Sequence, residues 1–285
     1  MELVTVLLSS LLLLISPVGI VLDQVAENAI RDRLAGAESL DVRIDNGPSY
    51  QLLQGKVDKV RIAGRGITPV LGLRIDIAEL ESDPIDLDFN RLRRGEVVLD
   101  QAFQGAVRIV LTEVDVNAFL RSPIVTEQLN NLNIGALATN PAQAREGARY
   151  RINDPTVDFL AGAASGEEDR IRLSAELEDV VAEAGFAVEI ETGLAISAGD
   201  RLMLIDPIVV VDSNPVDPRL INIVLGDLNN RLALQQLDKS GIVTRIVNFD
   251  IQSDAVDLAL WVRVDPSFTA LAATGLSNVE PSNLE

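Results

Sequence analysis

Arg91, Arg93 and Arg94, in the run RLRRG, are the densest positive charge in the chain. Guanidinium groups bind phosphate through paired, planar hydrogen bonds, so this triplet is the candidate for holding a phosphorylated head group. The competing reading is a solvated loop between strands. Asp212, Asn214 and Asp217 in DSNPVDP stand at roughly calcium-loop spacing. The EF-hand glycine is missing there, and Ile223 occupies the place of the bidentate glutamate, so the segment reads as a turn and helix cap. No metal ligands are assigned. Asp83, Asp86 and Asp88 could form a carboxylate cluster, but Asp86 and Asp88 fall on the wet side of an alternating segment. AGRGITPVLG begins like a nucleotide loop at Gly64 and Gly66, yet Pro69 stands where the third glycine belongs. It reads as a strand ending in a turn.

Histidine and cysteine are both absent from the 285 residues. Ser-His-Asp and Cys-His nucleophiles are therefore excluded, as is zinc held by imidazole or thiolate. No disulfide can form, and no cysteine is available for a lipid anchor. Carboxylates, hydroxyls and three lysines (Lys56, Lys59, Lys239) remain, and glycosidase-type carboxylate pairs cannot be recognised among 43 acidic residues. No catalytic residue and no cofactor are assigned, and the chain reads as a non-enzyme. The net charge of −19, from 24 basic and 43 acidic side chains, argues against nucleic acid as a partner. It also argues against broad electrostatic attachment to anionic lipid.

The elements that must position any site are mostly strands. Val60 and Ile62; Leu73, Ile75 and Ile77; Ile85, Leu87 and Phe89; Ile171, Leu173, Ala175 and Leu177 all alternate with polar residues. So do Val188, Ile190, Leu194 and Ile196; Val247, Phe249 and Ile251; and Val256, Leu258, Leu260 and Val262. Period-two patterns of this length mean antiparallel strands with one apolar face. Trp261 falls on the opposite face, as an interfacial anchor or packed against a helix. In VRIVLTEVDVNAFLRSP, residues 107–123, alternation at Val107, Ile109 and Leu111 gives way to helical spacing at Val114, Ala118, Phe119 and Leu120. Thr112 and Asp115 make a weak capping box at the junction. This helix is expected to run to about Leu132, broken at Pro123. A second, over 218–232, opens with Asp217-Pro218 and carries Ile221, Val224, Leu225, Leu228 and Leu232 at three- and four-residue spacing. Such helices are the nearest cover for an apolar sheet face. The expected fold is α+β: a strongly curved antiparallel sheet wrapped around amphipathic helices.

The uncharged run over residues 3–22 is long enough to cross a bilayer. A retained anchor is the preferred reading, with a cleaved signal or a buried or interfacial helix as alternatives. Residues 1–35 are thus an anchor segment, 36–265 a single β-rich domain with a possible boundary near 140–148, and 266–285 a loose tail.

GKVDKVRIAGRGI, LRIDIAELES and above all VRIVLTEVDVNAFLRSP resemble the LmeA-type phospholipid-binding family, as do VDPRLINIVLGDLNNRL and GIVTRIVNFDIQSDAVDLAL. Thr112, Asp115, Asn117 and Leu120 match the family's strand-helix element. The resemblance covers most of residues 20–265. It implies a tubular lipid-binding fold around an apolar cavity, phospholipid as the partner, and envelope lipid metabolism or transport at a membrane. The candidate cavity lining is Ile109, Leu111, Phe119, Leu120, Ile221, Val224, Leu225 and Leu228. The expected function is non-enzymatic phospholipid binding or transfer, membrane-associated through residues 3–22 and facing the extracytoplasmic side. Arg31 and Arg33 leave a cytoplasmic face open. The alternative is a structural or adaptor module of the envelope with a self-filled core and no ligand.

Overall fold

The computed structural model describes residues 27–28, 30–47, 49–92, 98–131, 150–162, 169–216, 234, 238 and 241–266. The anchor segment 3–22, the boundary region 140–148, the helix over 218–232 and all but the first residue of the tail lie outside them. Among the described residues, no helix is long and apolar enough to cross a membrane. The strands are β1 (Ser39–Asp45), β2 (Lys56–Val57), β3 (Lys59–Val70), β4 (Leu73–Ser82), β5 (Ile85–Asp86), β6 (Phe103–Thr112), β7 (Tyr150–Leu160), β8 (Arg170–Asp179), β9 (Ala184–Ser197), β10 (Arg201–Val211), β11 (Asn214–Pro215), β12 (Ile242–Ile251) and β13 (Ala255–Val264). Short helices α1 (Phe89–Leu92), α2 (Glu113–Leu120) and α3 (Pro123–Asn131) interrupt them.

Two large open antiparallel sheets result, not one. The first has the order β1-β3-β4-β6-β13-β12 and the second β11-β10-β9-β8-β7, with β2 and β5 forming a small third sheet. The last two strands return to the first sheet, so the second is inserted between β6 and β12 in sequence. Across the first sheet, Val42, Ile62, Leu80, Val107, Leu260 and Ile246 line up as one apolar row. This row belongs to the main core, which Ile30, Leu34, Val57, Ile85, Leu87 and Leu99 help to close. The opposite face is a charge lattice, in which Arg108 joins Glu79 and Asp257 at 3.1 and 2.7 Å.

The strand-helix junction differs from expectation in one respect. Thr112 is the N-cap of α2, its hydroxyl accepting from the Asp115 amide at 3.1 Å. The helix does not lie over the main core, however; it packs on β4 and reaches β7. Its apolar side is Val116, Phe119 and Leu120, while Val114 is exposed. Pro123 starts a new helix instead of merely breaking the first, because a proline at the first helical position lacks only an amide that would be unpaired there. Gly72, at φ +90°, turns β3 into β4 against this joint. A Cβ at that glycine would lie 2.8 Å from the Ser122 Cβ.

Bulges keep each apolar face in phase. In β7 the pairing shifts between Asn153 and Thr156, around Asp154 at φ 47°, so Ile152 and Val157 point the same way despite their odd separation. In β10 the shift around Asp206, at φ 44°, does the same for Leu204 and Val209. Each aspartate precedes a proline, which has no amide to lose from the ladder. In β12 the shift between Ile246 and Asn248 ejects Val247, which is 68% exposed. Val247 therefore does not share a face with Phe249 and Ile251, as simple alternation had it.

Candidate functional site

The strand-helix element ties the two sheets together. β7 is the edge of the second sheet, and an edge presents backbone groups with no strand beside them. The Asn117 carboxamide donates to the Val157 carbonyl and accepts from the Val157 amide, both at 2.8 Å, as a neighbouring peptide would. One turn earlier, Glu113 accepts from the Phe159 amide at 2.9 Å. On the other side of the helix, buried Asp115 accepts from Arg74 of β4 and from the Thr112 hydroxyl, both at 2.7 Å. Hydrogen bonding to Glu38 and then Asp115 holds the Arg74 guanidinium above its ordinary range. The contacts Glu113 and Asn117 make on one strand and Asp115 on another are a consequence of helical pitch. Around them, Val116 and Leu120 pack with Val157, Phe159, Phe249, Ile251 and Val256 in a cluster shared by both sheets.

Beyond this junction the second sheet presents an apolar face that is only partly buried among the described residues. Val157, Leu173, Ile190 and Val209 form one row across β7 to β10. Ala175, Val188 and Val211 form the next, and Ile152, Leu177 and Phe186 a third. Only Val157 of these is buried; Leu173 is 36% exposed, and the rest lie between. Ile196, further along β9, is 39% exposed. Thr192, the polar member of the face, is fully buried with its hydroxyl 2.9 Å from the Ile205 carbonyl at the β10 bulge. The reverse face is charged: Glu191 receives Arg170 at 2.9 Å and Arg172 at 3.0 Å. The Arg172 hydrogen bond, outweighing partial desolvation and reinforced by Arg170, holds the Glu191 carboxyl below its ordinary value.

The residues singled out from sequence fall in several places. Ile109 is buried in the main core, with Leu111 at its margin. Phe119 packs with Leu73 and Val125, and Leu120 touches both smaller clusters. Ile221, Val224, Leu225 and Leu228 lie outside the described residues, as do Arg93 and Arg94. Arg91 sits in α1, its amide donating to the Asp88 carboxylate at 3.0 Å and its guanidinium 3.9 Å from it. Asp212 and Ser213 make a two-residue turn between β10 and β11, both at positive φ, with Asp212 accepting from the Ala187 amide. Asp217 lies outside the described residues, and among those described no group of three or more potential ligands could hold a metal. Gly64 and Gly66 lie within β3, whose turn follows at Leu71-Gly72. Trp261 is half-buried on the outer face of the first sheet, opposite Ala106 and Arg245. A depression of about 420 Å³ on that outer face is lined by Ala63, Ala106, Ala259, Arg61 and Arg108, and by none of the candidate lining residues.

A model of the LmeA-like phospholipid-binding family matches residues 15–260. The chain belongs to this family. No curated protein and no solved structure matches it. Membership makes phospholipid the ligand class and binding, not catalysis, the family's activity. The match spans both sheets and the element at 112–120. In this LmeA-like chain, Thr112 caps α2, Asp115 anchors it to β4, Asn117 docks it on β7, and Leu120 fills the junction. Glu113 and Arg74 complete that arrangement, and sequence reasoning passed over both. Their partners are 46 and 41 residues away.

Proposed function

We propose that this LmeA-like protein is a membrane-associated carrier that holds phospholipid acyl chains against the apolar face of β7 to β10. One observation carries the reading: in the row Val157, Leu173, Ile190 and Val209 only the first residue is fully buried, while Leu173 is exposed and Ile190 and Val209 are half-buried. Leaving aliphatic area in water costs about 25 cal/mol per Å². Acyl chains remove that cost while needing no directional partner, which suits a face with almost no polar side chains. Tethering through residues 3–22, an extracytoplasmic location and head-group contact by Arg91, Arg93 and Arg94 complete the proposal. Closed packing around Ile109 and Phe119 favours the second reading, an adaptor with a self-filled core, for the first sheet taken alone. Extraction and mass spectrometry of lipid from the purified protein separates the two. The carrier brings phospholipid with it, and Ile190→Glu, which places a charge in the middle of the face, removes most of that lipid while the β-type circular dichroism stays. Parent protein free of phospholipid would leave the adaptor reading standing.

A further inference from the structure

The turn between β8 and β9 carries two valines outward: Val180 is 39% exposed and Val181 72%. Its backbone is closed from within. Asp179, only 1% exposed, accepts from the amides of Val181 and Ala182, each at 3.0 Å. A turn that enters a bilayer interface must not bring bare amides with it, since unpaired backbone groups are costly where water is scarce. This turn has two of its donors paired and its valines free. Behind it come the row Tyr150, Asp179 and Ala184, then Ile152, Leu177 and Phe186 and the rest of the apolar face, so the tip stands one row from the surface proposed to hold acyl chains. Glu178 and Glu183 flank the tip, and no Lys or Arg occurs between Arg172 and Arg201. Across the sheet, exposed Arg151 on β7 stands opposite Glu178, so with Glu176, Asp179 and Glu183 this end carries net negative charge among the described residues, and contact must come from the valines.

We infer that the Val180-Val181 turn docks on the surface of an uncharged phospholipid bilayer, where lipid passes between the membrane and the apolar face of β8 and β9. This rests on the carrier reading above. The chain has no cysteine, so Val181→Cys in the full-length protein takes a single polarity-sensitive fluorophore, and Val247→Cys on the first sheet serves as the comparison. With phosphatidylcholine vesicles, the label at position 181 should shift to the blue and be quenched by brominated lipid, while that at 247 stays in water. Vesicles enriched in phosphatidylglycerol should weaken the response. In the unlabelled protein, Val181→Asp should slow uptake of fluorescent phospholipid from vesicles by about tenfold, equivalent to about 1.4 kcal/mol. Uptake of a short-chain phosphatidylcholine, offered below its micellar concentration, should be unchanged. An aqueous signal at 181 on vesicle-bound protein, or unchanged uptake from vesicles in Val181→Asp, overturns the docking tip. Parent protein that takes up neither lipid overturns the carrier reading instead.

Discussion

Asn117 is one side chain standing in for a strand. Replacing it with alanine leaves the Val157 amide and carbonyl without their partner, and an unpaired, partly buried backbone group costs about 1–3 kcal/mol. Asn117→Ala should therefore lower unfolding stability by about 2 kcal/mol in urea titration, with Asn117→Asp intermediate because it keeps the acceptor. A change within error would mean that the junction is held by its apolar cluster alone. Glu191 gives the second residue-scale test. Its folded carboxyl titrates below the ordinary value of 4.5 because Arg172 and Arg170 hydrogen-bond the charged form. The stabilisation is complete above that ordinary value and is lost as pH falls through the lower, folded one. Glu191→Gln should be less stable than the parent near neutral pH, and the gap in melting temperature should close in acid. A gap that persists to low pH would assign the effect to packing. The motif around Asn117 is legible in sequence, but its purpose is not, since its partner strand begins a sheet 40 residues further on.

At the scale of the element, alternation gives the strands and misleads at the bulges. Ile171, Leu173, Ala175 and Leu177 do share a face, because β8 pairs without interruption along its length to β9. Val247 and Phe249 do not, because one extra residue in β12 reverses the phase between them. Phe249→Ala should thus cost about 3 kcal/mol through lost burial and a residual void, whereas Val247→Ser should change stability by less than about 0.5 kcal/mol. Equal losses in a chemical denaturation series would place the bulge wrongly. β10 is opaque for a related reason. In LMLIDPIVVV both faces are apolar, so no period reveals that Leu204 and Val209 point together. The one local sign is Asp206-Pro207, which Asp154-Pro155 repeats on β7. Helix α2 shows a different failure. Its spacing reads as amphipathic with Val114 inside, yet the helix turns Glu113 and Asn117 to the second sheet, and Val114 faces water.

For the whole molecule, the β-rich class and the strand-helix junction can be read from the chain, while the division into two sheets cannot. Nothing local in β12 or β13 says that they return to β6, because strand order is set by which apolar faces meet after folding. Among the described residues, one sheet has a closed core and the other an apolar face that is only partly buried. That asymmetry, in a family that binds phospholipid, is the support for the proposal that acyl chains lie on the second sheet. The most direct test loads the protein with a phosphatidylcholine carrying a diazirine on its acyl chain, irradiates it, and maps the labelled residues by peptide mass spectrometry. Labels on Leu173, Ile190, Val209 and their neighbours in the rows across β8 to β10 are the predicted result. Labels confined to the main core around Ile109 and Leu260, or no protein labelling above that of an unrelated protein, would contradict it.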